Sequence, residues 1–385
     1  MVVKKIVGKI HLVLGLISGL FIVFLGITGC ILAFEAEIRS WTEPYQYVKE
    51  EQRPVKTPLE LKAVADNHLV FGKTLGVEYP GAGKAAIAMY YDEERYERVF
   101  INPYSGEVLK YVNMNEDFFR IVLDGHFYLW LPHHIGQPIL ASATLVFLIM
   151  LISGIILWWP RNKAARKQRF TIKWNVRWRR KNYDLHNVLG FYMSWIGIFI
   201  AITGLVFGFE WFAKSFYWAT SGGETMIEHQ HPLSDSTANP VSIRMADHLW
   251  AQHKDDVRPN ESMGVYFGAL KSDPIEVVVN HRPGTYYNSD FYHYDQFTGK
   301  ELEAPGSYAG SFADASLADK LVRMNYDIHV GAVLGLPGKL LAFFASLIAA
   351  SLPVTGFLIW RGRRKKKAGS RAPMKYTELG VKSTL

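Results

Sequence analysis

One cysteine, Cys30, occurs in 385 residues. That scarcity excludes an intramolecular disulfide framework and a thiolate cluster for a metal. Charge is missing from four runs: Leu12 to Phe34, Ile139 to Trp159, Val188 to Phe209 and Leu340 to Trp360 contain no Asp, Glu, Lys or Arg. Each is about twenty residues long, enough for a helix to cross roughly 30 Å of hydrocarbon. Acidic residues are absent between Arg161 and Lys181, where the chain is strongly basic, and further basic residues gather at Lys4, Lys5 and Lys9 and from Arg361 to Lys367. Short positive connections thus alternate with long ones of mixed charge, the positive-inside pattern. It predicts a multi-pass membrane protein with both termini cytoplasmic. It also accounts for the net charge of +8 by contact with a lipid bilayer, with no need for nucleic acid. Cys30 follows Ile27-Thr28-Gly29 in a pattern that resembles a lipoprotein cleavage box. Cleavage there would discard His11 and its helix, and the apolar segment is long for a signal peptide, so an uncleaved helix is expected.

The predicted organisation is an α-helical membrane protein: a four-helix transmembrane bundle with two periplasmic α+β domains. Residues 1–34 form the N-terminus and first span, 35–137 the first α+β domain, and 138–159 the second span. Residues 160–183 form a basic cytoplasmic loop, 184–210 the third span, 211–336 the second α+β domain, 337–360 the fourth span and 361–385 a basic tail. Within the water-facing segments, helical stretches are expected at Pro58 to Asn67 and Val241 to His253. Strand pairs are expected at Ala85 to Tyr91 with Arg95 to Ile101, and at Glu276 to Asn280 with Phe291 to Tyr294.

A tandem internal repeat underlies this layout. The first span opens His11-Leu-Val-Leu-Gly15 and the third His186-Asn-Val-Leu-Gly190. At the same offset Thr28-Gly29 answers Thr203-Gly204, and Phe34-Glu35 answers Phe209-Glu210. Ser153 to Trp158 resembles Thr355 to Trp360, Asp124-Gly-His126 resembles Asp327-Ile-His329, and Asn102 to Gly106 parallels Asp295 to Gly299.

The repeat pairs histidines by depth. His11 and His186 begin spans that run the same way, and His126 and His329 precede spans that run back. An ionisable residue at a span is costly without a partner and is a functional hypothesis by default. Imidazole is a common axial ligand of haem iron, and bundle cores house cofactors. Two bis-histidine haem b groups, one near each membrane face, are therefore expected, with His11, His186, His126 and His329 as iron ligands. His134, nearer the start of the second span, is a rival to His126. Gly15, Gly19, Gly190 and Gly197 would admit a planar ring or serve close helix packing equally well. A bare transition-metal site in the bundle is disfavoured, because no carboxylate and only the lone Cys30 thiol lies inside a span to complete its shell. In the outer segments His229 with His231, and His248 with His253, read as ordinary exposed histidines. Trp158, Trp159 and Trp360 read as interfacial belt.

These residues, with Asp327 to Gly338 and the Trp158-Trp159-Pro160-Arg161 exit, resemble the PepSY-associated transmembrane family over most of the chain. Members of similar length resemble bacterial ferrisiderophore (ferrioxamine) reductases, which carry haem and reduce iron at the periplasmic side. The resemblance implies that His11, His186, His126 and His329 are the family's motif histidines. The chain departs from the pattern at Pro132-His133-His134.

The expected activity is haem-dependent reduction of a ferric siderophore, hydroxamate type, with release of ferrous iron. No glycine-rich dinucleotide fingerprint follows a strand, so the electron donor is external, a quinol or a cytoplasmic flavoprotein. No catalytic triad is found, and electron transfer needs none. Substrate contact would fall to Tyr286, Tyr287, His133 or His134. A metal-chelate transporter and a non-redox, partner-binding membrane protein are the competing classes.

Overall fold

The computed structural model describes residues 2–160, 169–228, 230–237 and 244–369. Parts of the expected basic loop and tail (161–168 and 370–385), the expected helix start at 241–243, and His229 lie outside the described residues. The chain begins with helix α1 (Val2–Leu32) and the short α2 (Glu35–Thr42), followed by α3 (Pro58–Ala65). Strands β1 (Gly76–Tyr79), β2 (Ala86–Tyr91), β3 (Tyr96–Ile101) and β4 (Val108–Asn113) come next, and then α4 (Phe118–Tyr128) and α5 (His133–Trp158). The second half follows the same order: α6 (Trp178–Gly208), α7 (Glu210–Ser221), α8 (Met245–Lys254), β5 (Ser262–Tyr266), β6 (Ile275–Asn280), β7 (Ser289–Tyr294), β8 (Glu301–Leu302), α9 (Leu317–His329) and α10 (Leu336–Gly369).

Four of these helices, α1, α5, α6 and α10, are long and apolar enough to cross a membrane. The protein is thus a membrane protein with four apolar helices. Two start earlier than their apolar runs suggest. α5 begins at His133 rather than 138, taking in Pro132 as its N-cap and carrying Pro138 inside. α6 begins at Trp178 rather than 184, because Arg179, Arg180 and Lys181 extend the helix beyond the apolar run. The principal contacts are α1 with α5 and α10, and α6 with α5 and α10, so the bundle closes as a ring with α1 and α6 on a diagonal. Its centre holds Ile22, Leu151, Met193, Ala201, Ala345 and Ala349.

The two α+β segments expected from the sequence share one sheet. All eight strands form one antiparallel sheet in the order β4-β3-β2-β1-β5-β6-β7-β8. The seam is the β1–β5 ladder, running from Gly76 opposite Tyr266 to Tyr79 opposite Met263. Two four-stranded units apart would each expose the edge that here pairs, and an open edge invites aggregation. The expected strand pairs are β2–β3 and β6–β7.

Helices α3 and α8 lie side by side on one face of this sheet. α3 starts at a capping box, with Thr57 and Glu60 satisfying each other's backbone N–H groups and Pro58 in the first turn. Its Leu61 and Ala65 pack on Val77, Ala88, Val99 and Ile101, while Leu249 and Trp250 of α8 pack on Val265, Val277 and Val279. Burying Leu61 or Leu249 contributes about 2–3 kcal/mol each. The two cores meet at the seam, where Tyr79 stacks at 5.6 Å on Trp250. The opposite face of the sheet carries Glu78, Arg98, Tyr266, Glu276 and His293. Tyr266 lies over Gly76, where a Cβ would come within 2.5 Å of its ring, and its hydroxyl donates to Glu78 at 2.6 Å.

Sheet and bundle are tied together by charge. Arg39 of α2 bonds Glu35 at 2.8 Å and Glu43 at 2.6 Å on its own helix side, and also Asp117, the N-cap of α4. Lys339 of α10 reaches Glu37 of α2 at 2.8 Å. The turn from α9 into α10 depends on close backbone approach: a Cβ on Gly338 would sit 2.1 Å from the carbonyl oxygen of Gly331.

Candidate cofactor site in the helix bundle

Each of the four paired histidines is held through Nδ1 by a hydroxyl on a neighbouring helix. His11 meets Ser153 at 2.8 Å, His126 meets Thr28 at 2.7 Å, His186 meets Thr355 at 2.9 Å, and His329 meets Thr203 at 2.9 Å. Every one of these hydroxyls also donates backwards into its own helix. Thr28 donates to the Phe24 carbonyl at 2.8 Å, Ser153 to Met150 at 3.1 Å, Thr203 to Phe199 at 2.8 Å and Thr355 to Ser351 at 3.0 Å. A hydroxyl has one proton. With that proton committed to a carbonyl, the oxygen accepts from the imidazole, so Nδ1 carries the hydrogen and Nε2 keeps its lone pair. The tautomer is assigned from this network, as it must be where hydrogens are not seen.

The residue after each hydroxyl is glycine, and the imidazole lies against it. A Cβ built on Gly29 would be 3.6 Å from Cε1 of His126, on Gly154 3.6 Å from His11, on Gly204 3.3 Å from His329, and on Gly356 3.2 Å from His186. The unit Ser/Thr-Gly therefore does two jobs: it anchors the ring and leaves room for it. In the internal repeat Thr28-Gly29 corresponds to Thr203-Gly204, and Ser153-Gly154 to Thr355-Gly356. Their recurrence opposite every paired histidine was the available signal.

Two levels result. Thr28 lies seventeen residues after His11, and Thr203 seventeen after His186, about 25 Å of helix at 1.5 Å per residue. At the level nearer the sheet, His126 and His329 face each other with ring centres 6.3 Å apart and planes at 70°. A metal–imidazole bond is about 2 Å, and the nitrogen lies about 1.2 Å from its ring centre, so two imidazoles on opposite sides of one metal have centres roughly 6 Å apart. That spacing would let His126 and His329 hold one iron between them. Burial, which disfavours a charged ring, pulls the pKa of His126 well below the usual histidine value, and the neighbouring His329 adds to this. Burial does the same to His329, so both are neutral and able to ligate.

These two rings line a cavity of about 560 Å³, within the range of roughly 300–1,000 Å³ usual for small-molecule sites. Its walls are largely apolar, including Leu25, Leu140, Phe147, Ala201, Phe207 and Ala345. Glu35, Arg120, Asp124 and Tyr326 give it a polar rim. Beyond the rim, the Tyr326 ring meets Tyr286 edge-on at 5.2 Å. Tyr286 is 69% exposed, yet surrounding protein displaces enough water to push its phenol up, and Arg98, Glu78 and Glu35 lie within electrostatic reach. The polar face of the sheet therefore looks onto the mouth of the bundle cavity.

His11 and His186 do not line this cavity. They share the anchoring and the glycine contact with the outer pair, on the diagonal helices α1 and α6. His134 is exposed and stands outside the cavity, whereas His133 lines it and tilts against Phe127 and Tyr128 at 5.6 and 5.7 Å. His133, the first residue of α5 after its N-cap Pro132, is itself exposed, at the edge of the cavity. Gly15, Gly19 and Gly190 face Met150, Pro353 and Leu352 and serve helix packing; Gly197 alone of the four lines the cavity. Tyr287 is buried, and its backbone N–H donates to Asp327 at 2.8 Å, so it braces α9 and offers no surface. Trp158 is buried and stacked on Phe191 at 3.6 Å, not interfacial as expected, while Trp159 is 60% exposed. His253 bonds the Tyr294 hydroxyl at 2.7 Å, and His248 is exposed on α8.

A family model described as "PepSY-associated TM region" matches residues 9–363, and the chain belongs to that family. No curated protein matches it.

Proposed function

We propose that this member of the PepSY-associated TM family is a two-haem electron carrier that reduces a ferric chelate, of the hydroxamate siderophore class, on the side of the membrane where the sheet lies. The observation that carries the reading is the fourfold anchoring of histidine Nδ1 to a hydroxyl whose own proton is already used. Such an arrangement fixes tautomer and ring direction, as outer-shell hydrogen bonds do for metal-binding histidines. His126 and His329 would hold one haem b in the cavity, and His11 and His186 a second towards the basic ends of the helices. When bound, haem supplies a one-electron couple whose potential depends on axial ligand and burial.

The chain's own residues do the rest. The apolar cavity wall keeps water from the histidines, while Arg120 at the rim offers a cation for acidic ring substituents. Tyr286 and Tyr326 present aromatic surface for the chelate in the cleft below the sheet. Transfer of one electron turns ferric into ferrous iron, which hard oxygen donors hold less tightly. Electrons come from a quinol or a cytoplasmic flavoprotein, consistent with the lack of a nucleotide fingerprint. The positive-inside charge pattern supports a sheet in the periplasm and both termini in the cytoplasm of a bacterial inner membrane. The paired anchors and the mirrored strand order support descent from a duplicated unit.

The test is an absorption spectrum of purified protein before and after dithionite, with wild type, His126→Ala and His134→Ala. A Soret band with a dithionite-dependent α band is expected, halved in His126→Ala and unchanged in His134→Ala. A wild-type protein without these bands would sink the reading. Reduced protein should be reoxidised by a ferric hydroxamate; a reduced spectrum that persists with the chelate present removes the substrate assignment.

A further inference from the structure

A second cluster of donors lies away from the bundle. Glu276 of β6 and His293 of β7 stand directly opposite each other in the ladder, on the sheet face turned away from α3 and α8. His293 is 2% exposed, and its Nε2 lies 3.7 Å from a Glu276 carboxylate oxygen. His231, on the exposed segment after α7, comes over the same pair, its ring centre 5.9 Å from that of His293. One ligand atom from each of the three falls within 4.8 Å of the others.

We propose that His231, Glu276 and His293 form a site for one divalent transition-metal cation of borderline hardness, such as Fe2+ or Zn2+. Two imidazoles and a carboxylate are a donor set that suits such ions: it serves zinc in hydrolytic sites and ferrous iron in facial triads, both with positions left open for solvent. Magnesium and calcium, which prefer all-oxygen shells, are disfavoured. Metal–ligand bonds of about 2.1 Å require donors roughly 3–3.5 Å apart. Glu276 and His293 are nearly there already. The remaining contraction falls to His231, which is exposed. The strands thus supply two donors of the site and the segment after α7 the third.

The site rests on the sheet and its preceding loop, so it stands whether or not the bundle carries haem. Its place on the polar face, which looks onto the bundle mouth, puts it in the compartment where a reduced metal ion would be set free.

The experiment is a titration of the full-length protein in detergent with Zn2+ and, anaerobically, with Fe2+, by calorimetry and by metal analysis after dialysis. Mg2+ serves as the ionic control. Wild type and His248→Ala, which alters an exposed histidine elsewhere, are expected to take up one ion per chain with equal affinity. His231→Ala and Glu276→Gln are each expected to bind at least about tenfold more weakly, since even outer-shell losses cost 10–100-fold. His293 is left intact because its burial makes its removal a folding risk. Folding of each variant is checked by its thermal midpoint. Wild-type affinity in both variants, loss of binding in His248→Ala, or no uptake of either ion by wild type would overturn the proposal. A missing Soret band in the same samples bears on the haem reading alone.

Discussion

Replacing Thr28 by valine removes one hydroxyl from the wall of the outer site at nearly constant volume. Thr28 is the one hydrogen-bond partner shown for Nδ1 of His126 among the described residues. His329 differs, since its Nδ1 also approaches the Ile200 carbonyl at 3.1 Å. A buried donor left without an acceptor costs about 1–3 kcal/mol, and about 1.4 kcal/mol is tenfold in affinity. Thr28→Val should therefore weaken retention of the proposed haem at His126 by roughly 10–100-fold, the range usual for lost outer-shell partners. Thr203→Val leaves His329 its carbonyl, and the cost should stay below about 1 kcal/mol, or about fivefold. Ser194→Ala is the control, because among the described residues that buried hydroxyl bonds only the Gly190 carbonyl of its own helix, at 2.6 Å. The assay is transfer of haem to an excess of a competing haem-binding protein, followed at the Soret band. Equal retention in Thr28→Val and wild type, or equal loss in Thr28→Val and Thr203→Val, would refute the anchoring argument.

Three further outcomes are expected. Arg39→Met strips Glu35, Glu43 and Asp117 of their shared partner; with Arg39 14% and Asp117 11% exposed at the side chain, the loss should be about 2–3 kcal/mol, read as a lowered thermal midpoint. Burial alone would raise the Asp117 carboxyl, but hydrogen bonds from Arg39 and from the Arg120 backbone outweigh it and hold the group below the usual aspartate value. A depressed carboxyl stabilises the fold above its unfolded pKa, so this contribution is complete above about pH 5 and disappears as pH falls below about 4. Acid titration followed by circular dichroism should show wild type losing more stability over that range than Asp117→Asn. Gly338→Ala places a methyl on the Gly331 carbonyl; the turn into α10 must open, costing about 1–3 kcal/mol, with a lower thermal midpoint, whereas Gly362→Ala, which meets nothing within 4 Å among the described residues, should not lower it.

Four charge-free runs and the placement of basic residues were enough to establish a membrane protein with four apolar helices, because the cost of burying charge in hydrocarbon acts on composition and needs no tertiary detail. The internal match placed His11 with His186 and His126 with His329, and alternation of apolar residues located β2, β3, β6 and β7. Short or weakly patterned strands were not legible: β1 has four residues and β8 two. Nor was the joining of the two water-facing segments, since the β1–β5 ladder pairs residues nearly two hundred positions apart and backbone hydrogen bonds leave little trace in side-chain pattern. Tertiary structure alone also set the different surroundings of His126, which lines the cavity, and His134, which is exposed outside it. Both are histidines near the start of the second span, but only a folded α4, fixed by Arg39 and Asp117, turns one of them onto Thr28. The metal-ligating potential of His231 likewise arises from a cross-strand register, Glu276 against His293, that brings distant residues onto one face. Sequence determines what must avoid water and what repeats; which lone pair faces which cavity depends on packing, because a hydroxyl and a glycine on one helix acquire their roles only when a ring from another helix lies against them.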